Sequence, residues 1–142
     1  GHVILDRVLS SAMNYPGNYG YIKGTLAKDG DPLDALILAP YSLHPGCYVQ
    51  CRVVGALVMA DEKGSDEKVL VVPADAVDPH YKEVRDLEDL PVAQLEKIRH
   101  FFEYYKHTDQ GKWSKVEQFI GAEAASVLVR DYEQPLSGLV GA

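Results

Sequence analysis

The stretch Asp29-Gly30-Asp31-Pro32-Leu33-Asp34-Ala35 packs three carboxylates into six residues and runs directly into the apolar Leu36-Ile37-Leu38-Ala39. In an extended segment, side chains two apart share a face, which predicts that Asp29 and Asp31 project together. Pro32 fixes its own φ and moves Asp31 out of the helical region, so a bend is expected to swing Asp34 back toward the other two. Leu33 then points the opposite way as an anchor. Gly30 is expected where something comes close to the backbone. Two like charges about 4 Å apart repel by roughly 4 kcal/mol at an effective dielectric near 20. Such a group either raises its pKa values or recruits cations. Oxygen-only ligands favour hard ions such as Mg²⁺ or Mn²⁺. Taken alone, the stretch also reads as a hydrophilic Asp-Gly/Asp-Pro turn between strands.

Two other metal-loop patterns fail in place. An EF-hand beginning at Asp29 requires glycine at its sixth position and glutamate at its twelfth, where this chain has Asp34 and Pro40. A dehalogenase-type D-x-D follows an apolar strand directly, and Thr25-Leu26-Ala27-Lys28 is a poor one.

The 142 residues set the frame for this stretch. A chain of that length is expected to form a single domain, residues 1–142, that buries roughly 68–70% of its unfolded surface. A hydrophobic content of 46% with 25% charged residues is that of an ordinary soluble globular protein. The net charge of −7 argues against a nucleic-acid partner, because tracking phosphates needs a basic face. It suits a protein that gathers cations. No apolar run approaches the ~20 residues of a membrane span, and no signal peptide is visible, so a cytoplasmic location is expected. Cys47 and Cys51, four apart on an expected strand, would lie about 13 Å from each other, beyond bridging distance. Both are expected to be reduced core thiols. The histidines form no ligand pair that would suit zinc.

Val3-Ile4-Leu5 reads as a strand that enters the protein already apolar, which predicts a preceding partner strand. Tyr15-Pro16-Gly17-Asn18-Tyr19-Gly20-Tyr21-Ile22 reads as a kinked strand with turn chemistry at Pro16-Gly17. Tyr21 is expected to pack, whereas Tyr15 and Tyr19, with Arg7, are candidates for binding an oxyanion. Tyr48-Val49-Gln50-Cys51-Arg52-Val53-Val54 alternates with period two, Gly55 marks a bend, and Ala56 to Met59 continues the sheet. The charged run from Asp61 to Lys68 reads on its own as a solvated hairpin loop before the apolar Val69-Leu70-Val71-Val72. Strands at this spacing suggest a small barrel. From about Pro91 the period turns helical through Leu95, Ile98, Phe102 and Tyr105, with basic residues at the far end. Lys112-Trp113 reads as loop, a last helix spans about Ala122 to Tyr132, and residues 134–142 read as a tail. The expected class is therefore α+β: a small closed or partly open, mainly antiparallel OB-like β-barrel with two flanking helices.

The two acidic stretches, with Arg7, Tyr19, Lys68, Tyr105 and Lys106, supply what phosphoryl chemistry requires. Carboxylates hold divalent metals, and cationic and phenolic donors hold the phosphate oxygens left uncovered. Here the chain resembles the Mg²⁺-dependent, barrel-fold family of soluble inorganic pyrophosphatases. Asp29 to Ala35 matches that family's D-x-D-P-φ-D-φ signature, φ being apolar. Tyr15 to Ile22, Asp61-Glu62 to Lys68, and Phe101-Phe102-Glu103-Tyr104-Tyr105-Lys106 fall in the family's order and spacing.

The resemblance implies that Asp29, Asp34 and Asp66 hold the metals that activate water, and that Asp61 with Asp66 holds a further one. It implies Asp31 as general base. Arg7, Tyr105 and Lys106 would hold the leaving phosphate and Tyr19 the electrophilic one, with Tyr15, Glu62, Lys68 and Lys112 in support. The implied cofactor is Mg²⁺, several ions per site, with Mn²⁺ or other divalent ions as substitutes. The implied substrate is inorganic pyrophosphate, with no nucleic-acid or membrane partner. Relatives of bacterial length form homohexamers with a helix histidine at a subunit contact; His100 takes that position, and Tyr104 replaces a second histidine found in some of them. One departure stands out. An upstream K-x-E strand of the family, with a glutamate before it, has no counterpart in these residues. Impaired activity and an exposed barrel edge are expected consequences. The competing classes are a non-catalytic metal- and phosphate-binding module and a hydrolase of nucleotides or other phosphoesters.

Overall fold

The computed structural model describes residues 2–5 through their backbone, and residues 16–105 and 111–134 fully. Arg7, Tyr15, Lys106 and the expected tail beyond Gln134 lie outside the described residues. The described residues form six strands: β1 (His2–Leu5), β2 (Asn18–Ile22), β3 (Asp34–Ile37), β4 (Tyr48–Asp61), β5 (Gly64–Pro73) and β6 (Ser114–Gly121). Two helices follow the expected spans, α1 (Val92–Tyr104) and α2 (Ala122–Tyr132).

The sheet order is β1-β2-β3-β5-β4-β6, and β1 also pairs with β4. The five-strand run therefore turns back on itself. All pairings are antiparallel except β3 with β5, which is parallel. One edge of β4 is shared: residues 48–50 take β1 and residues 55–61 take β6. Between them that edge carries no strand among the described residues, which leaves the barrel partly open, as small OB-like barrels often are. β1 is paired on both sides, with β2 and β4, so the barrel edge expected to be exposed does not fall on β1.

Gly55 does not end a strand. It sits at a register shift between Val53 and Gly55, and β4 runs through it for 14 residues. A bulge bends a strand while preserving its pairing on either side. Gly17 answers a different need. A Cβ there would lie 2.6 Å from the Ile37 carbonyl oxygen, so only glycine lets the β2 entry approach β3.

Alternation along β3 and β5 sorts the core into two clusters. Leu36, Leu70 and Val72 meet Phe101, Phe102 and Ile98 of α1 on one face. Ala35, Ile37, Val69 and Val71 meet Ile22, Leu33 and the α2 residues Val129 and Tyr132 on the other. Burying a side chain the size of leucine or phenylalanine contributes about 1.5–3 kcal/mol. α1 packs chiefly along β6 and α2 along β4, and their apolar side chains join the two core clusters of the parallel β3–β5 pair, whose N-terminal ends carry the acidic residues. Cys47 and Cys51 are free thiols, as expected, but half-buried rather than core. Burial pushes the Cys51 thiol up to about 12. Among the described residues, no helix is long and apolar enough to cross a membrane.

Candidate active site

The site is built around Lys68. Its side chain is buried, with the residue 3% exposed. The Lys68 ammonium donates to the Tyr19 hydroxyl at 2.7 Å and to Asp34 Oδ2 at 2.7 Å, and it contacts Asp66 Oδ2 at 3.0 Å. The sheet explains the convergence. Asp66 and Lys68 are two apart on β5 and so share a face. Asp34 is the direct parallel partner of Lys68, and Tyr19 lies on β2 beside β3. The ammonium also stands 5.2 Å from the Tyr19 ring centre and 5.9 Å from that of Phe102. Tyr105 completes this wall, stacked on Phe101 at 5.5 Å and edge-on to Phe102 at 5.6 Å.

Burial pulls the Lys68 ammonium down, but Tyr19, Asp34, Asp66 and Tyr105 together hold it well above the usual lysine range. Burial also pushes the Tyr19 phenol far up, against the opposing charge of Lys68. Asp66 is raised first by burial, then by Asp34 and Asp61, with Lys68 opposing. The Asp61–Lys68 stretch is thus no solvated loop. Only Glu62 and Lys63 form the turn, and Asp66 to Lys68 are half-buried or buried strand residues.

Asp29, Asp34 and Asp66 line one small open cleft, together with Glu67, Lys28 and Leu33. Three of the four aspartates expected to hold metal are therefore brought together. Asp61 stands at the β4–β5 hairpin, near enough to Asp66 to raise its pKa. Its Oδ1 accepts from the Lys63 backbone N–H at 2.9 Å. Glu62 accepts from the Trp113 N–H at 3.4 Å, which places the Lys112-Trp113 segment at this same corner. Asp31, the expected base, is exposed on the rim and is not among the residues lining the cleft.

The aspartate stretch itself departs from the extended segment expected. Residues 27–31 form a turn, with Gly30 N–H donating to the Ala27 carbonyl and Ala27 N–H to that of Asp31. Asp29 Oδ1 accepts from the Asp31 N–H at 3.0 Å, an Asx turn that outcompetes strand geometry. Gly30 has a φ of +88°, and a methyl group added there would meet nothing within 4 Å, so it serves backbone conformation rather than a close approach. Leu33 is anchored as expected, 1% exposed.

Glu67 and Tyr132 are not expected at the site from the sequence. Strand alternation turns Glu67 to the α2 side, where it faces the Tyr132 side chain. Its pKa is raised by burial and then by Asp66, with Lys28 opposing. Nothing local to the sequence joins a residue of β5 to the last turn of a helix more than sixty positions on.

Among the described residues, no three of His, Cys, Asp and Glu form a ready-made metal cage. The donor set nevertheless fits a small hard cation. Mg²⁺ keeps several waters and is usually held by one or two carboxylates plus substrate phosphates, not by an all-protein cage. The fold and this site together define a small barrel protein with a carboxylate-lined cleft, two of whose aspartates are bonded to the buried Lys68 ammonium. The family model described as inorganic pyrophosphatase matches residues 1–136. A protein of Escherichia coli (strain K12) named inorganic pyrophosphatase is 47% identical over 135 residues, covering 94% of this chain and 77% of its own. One of that name from Sulfolobus acidocaldarius is 47% identical over 125 residues, 88% of this chain and 72% of its own. The solved structure of the Helicobacter pylori inorganic pyrophosphatase superposes with a TM-score of 0.84 at 46% identity, covering 89% of this chain and 75% of that one. The chain belongs to the inorganic pyrophosphatase family.

Proposed function

We propose that the chain hydrolyses inorganic pyrophosphate to two orthophosphates by direct attack of water, with Mg²⁺ as the physiological divalent ion. The observation that carries this reading is that Asp29, Asp34 and Asp66 line one cleft, with Asp34 and Asp66 also bonded to the buried Lys68 ammonium. Asp29, Asp34, Asp66 and Asp61 are the residues that would hold divalent cations. Such ions, when bound, lower the pKa of water and neutralise phosphate charge.

The chain's own groups do the rest. Asp31 takes a proton from the attacking water as its oxygen bonds to one phosphorus and the bridging P–O bond breaks. The departing orthophosphate keeps the bonding pair. Tyr19 orients the phosphoryl group under attack, and Arg7, Tyr105 and Lys106 hold the departing one. Lys68 fixes Tyr19, Asp34 and Asp66 in a single arrangement, so that little reorganisation is needed as charge shifts. Glu62 and Lys112 brace the hairpin corner, and Tyr15 is a further supporting residue.

Phosphate release from pyrophosphate with Mg²⁺ is the direct test. We expect turnover of pyrophosphate well above that of ATP, and a fall of about 10²-fold or more in Asp31→Asn, the scale of losing a general base. Binding of Mg²⁺ and phosphate without turnover would favour a non-catalytic module. In this reading the protein is cytoplasmic and assembles as a homohexamer through α1, where Val92 is 71% exposed and the His100 and Tyr104 rings lie 4.7 Å apart. Sedimentation as a monomer at micromolar concentration would remove the assembly from the reading.

A further inference from the structure

We propose that Thr25 is a positioning residue for this reaction, its buried hydroxyl setting where the loop carrying Asp29 and Asp31 leaves the sheet. The inference rests on the reading of the cleft given above. Among the described residues, the only buried polar or charged side chains are Lys68 and Thr25, the latter 6% exposed. Lys68 holds the carboxylates of the strands. Thr25 holds the loop.

The geometry is specific. Ile22 closes β2 and Leu33 immediately precedes β3, so the two face each other at the base of the loop. An antiparallel pair at that point would exchange two backbone hydrogen bonds. One is direct, from Ile22 N–H to the Leu33 carbonyl at 2.8 Å. In the other, the Thr25 hydroxyl is inserted: Leu33 N–H donates to Thr25 Oγ1 at 2.9 Å, and that hydroxyl donates to the Ile22 carbonyl at 2.6 Å. A side-chain oxygen thus relays a backbone bond and wedges the strand ends apart on that side.

Beyond the wedge, residues 24–27 are tied to the end of α2. Leu26 N–H donates to the Tyr132 carbonyl at 2.9 Å, Gln134 N–H donates to that of Gly24 at 2.8 Å, and Thr25 bridges to Glu133. The Asp29 turn then hangs from Ala27. Both ends of the loop are therefore fixed at Thr25, one to the sheet and one to the helix.

Without the hydroxyl, a buried donor and a buried acceptor are left unpaired, and direct closure of Leu33 onto Ile22 is the remaining way to satisfy them. Closure draws in Leu33 and with it Asp34, whose Oδ2 lies 2.7 Å from Lys68 Nζ. A shift of about 1 Å in a reacting constellation can cost on the order of 10²-fold in rate.

Thr25→Val keeps the shape and removes the hydroxyl, while Thr25→Ser keeps the hydroxyl. Each is compared with the wild type for Mg²⁺ affinity by calorimetry and for kcat with pyrophosphate, after circular dichroism confirms folding. The expected result is a loss of about 10-fold or more in kcat, with clearly weaker Mg²⁺ binding, in Thr25→Val and near wild-type values of both in Thr25→Ser. Wild-type Mg²⁺ affinity and kcat in a folded Thr25→Val overturns the proposal, as does a Thr25→Ser that fails equally. Should Thr25→Val not fold, Thr25→Ala assayed in the cold is judged by the same outcomes. A wild type that binds Mg²⁺ but does not turn over pyrophosphate sinks the proposed function alone, and the Mg²⁺ affinities still decide for or against Thr25.

Discussion

The acidic residues of this cleft are held in two ways. Asp34 and Asp66 share a buried cation, Lys68, so their charge is offset inside the protein. Glu67 has no ammonium within bonding distance among the contacts described; the more distant Lys28 pulls its pKa down, and so, more weakly, do a backbone donor and the facing Tyr132 side chain. Its carboxyl is therefore raised, by burial first and Asp66 second. A carboxyl that binds its proton more tightly when folded favours folding below its unfolded value, about 4.3. That contribution is lost as the pH rises through the folded value. Glu67→Gln removes the titration and keeps an oxygen able to accept from the Tyr132 hydroxyl. The variant is expected to gain stability relative to the wild type as the pH is raised from about 4 toward 7, in urea titrations with EDTA present. A stability difference independent of pH over that window would show that Glu67 does not titrate against its neighbours.

At the scale of elements, one carboxylate joins parts of the fold that are far apart in sequence. Helix α2 begins at Gly121, which has no side chain to cap it. Asp86 Oδ1 takes that role from another segment, accepting from the Ala122 N–H at 3.1 Å and from the Leu87 N–H at 2.7 Å. Asp86→Ala is expected to cost about 1–2 kcal/mol in urea denaturation, the upper range for loss of a cap because α2 and the short 3-10 turn Leu87–Asp89, which Asp86 also caps, lose it together. Asp86→Asn, which retains an acceptor, should cost clearly less; equal losses would mean that charge, not capping, is what matters. Such cross-segment links mark where the sequence stops being informative. Strands β3 and β5 and helices α1 and α2 are legible because an apolar period must appear wherever a face is buried. Strand β6 is not. It is an edge strand in which only Val116 is buried, so Lys115, Glu117 and Gln118 give it no apolar signature. Asp66 and Lys68 read as loop because charges suggest solvent, whereas mutual neutralisation lets them enter the sheet. The grouping of Asp29, Asp34 and Asp66 is legible only through the family pattern, since spacing alone gives Asp29 and Asp31 a shared strand face in place of the observed turn.

At the scale of the molecule, the net charge of −7 is unevenly felt. Exposed carboxylates such as Asp75, which Arg85 and Arg52 hold below the usual range, find cations on the protein itself. Four carboxylates line the cleft, with Lys28 at its wall and Lys68 buried behind Asp34 and Asp66, and it opens to solvent, so its remaining charge is matched from outside. A divalent ion bound only by the folded chain stabilises it by mass action, about 2.7 kcal/mol at a hundred times its dissociation constant. For a chain of this length that corresponds to a rise of roughly 5–15 °C in Tm. The expected outcome is such a rise on adding Mg²⁺ to EDTA-treated protein, reduced by at least half in Asp34→Asn. NaCl at matched ionic strength screens exposed charges without entering the cleft, and should give only a small part of it. If NaCl raised Tm as far as Mg²⁺ does, the cleft would be a screened acidic surface and not a binding site, because screening depends on ionic strength whereas coordination depends on the ion.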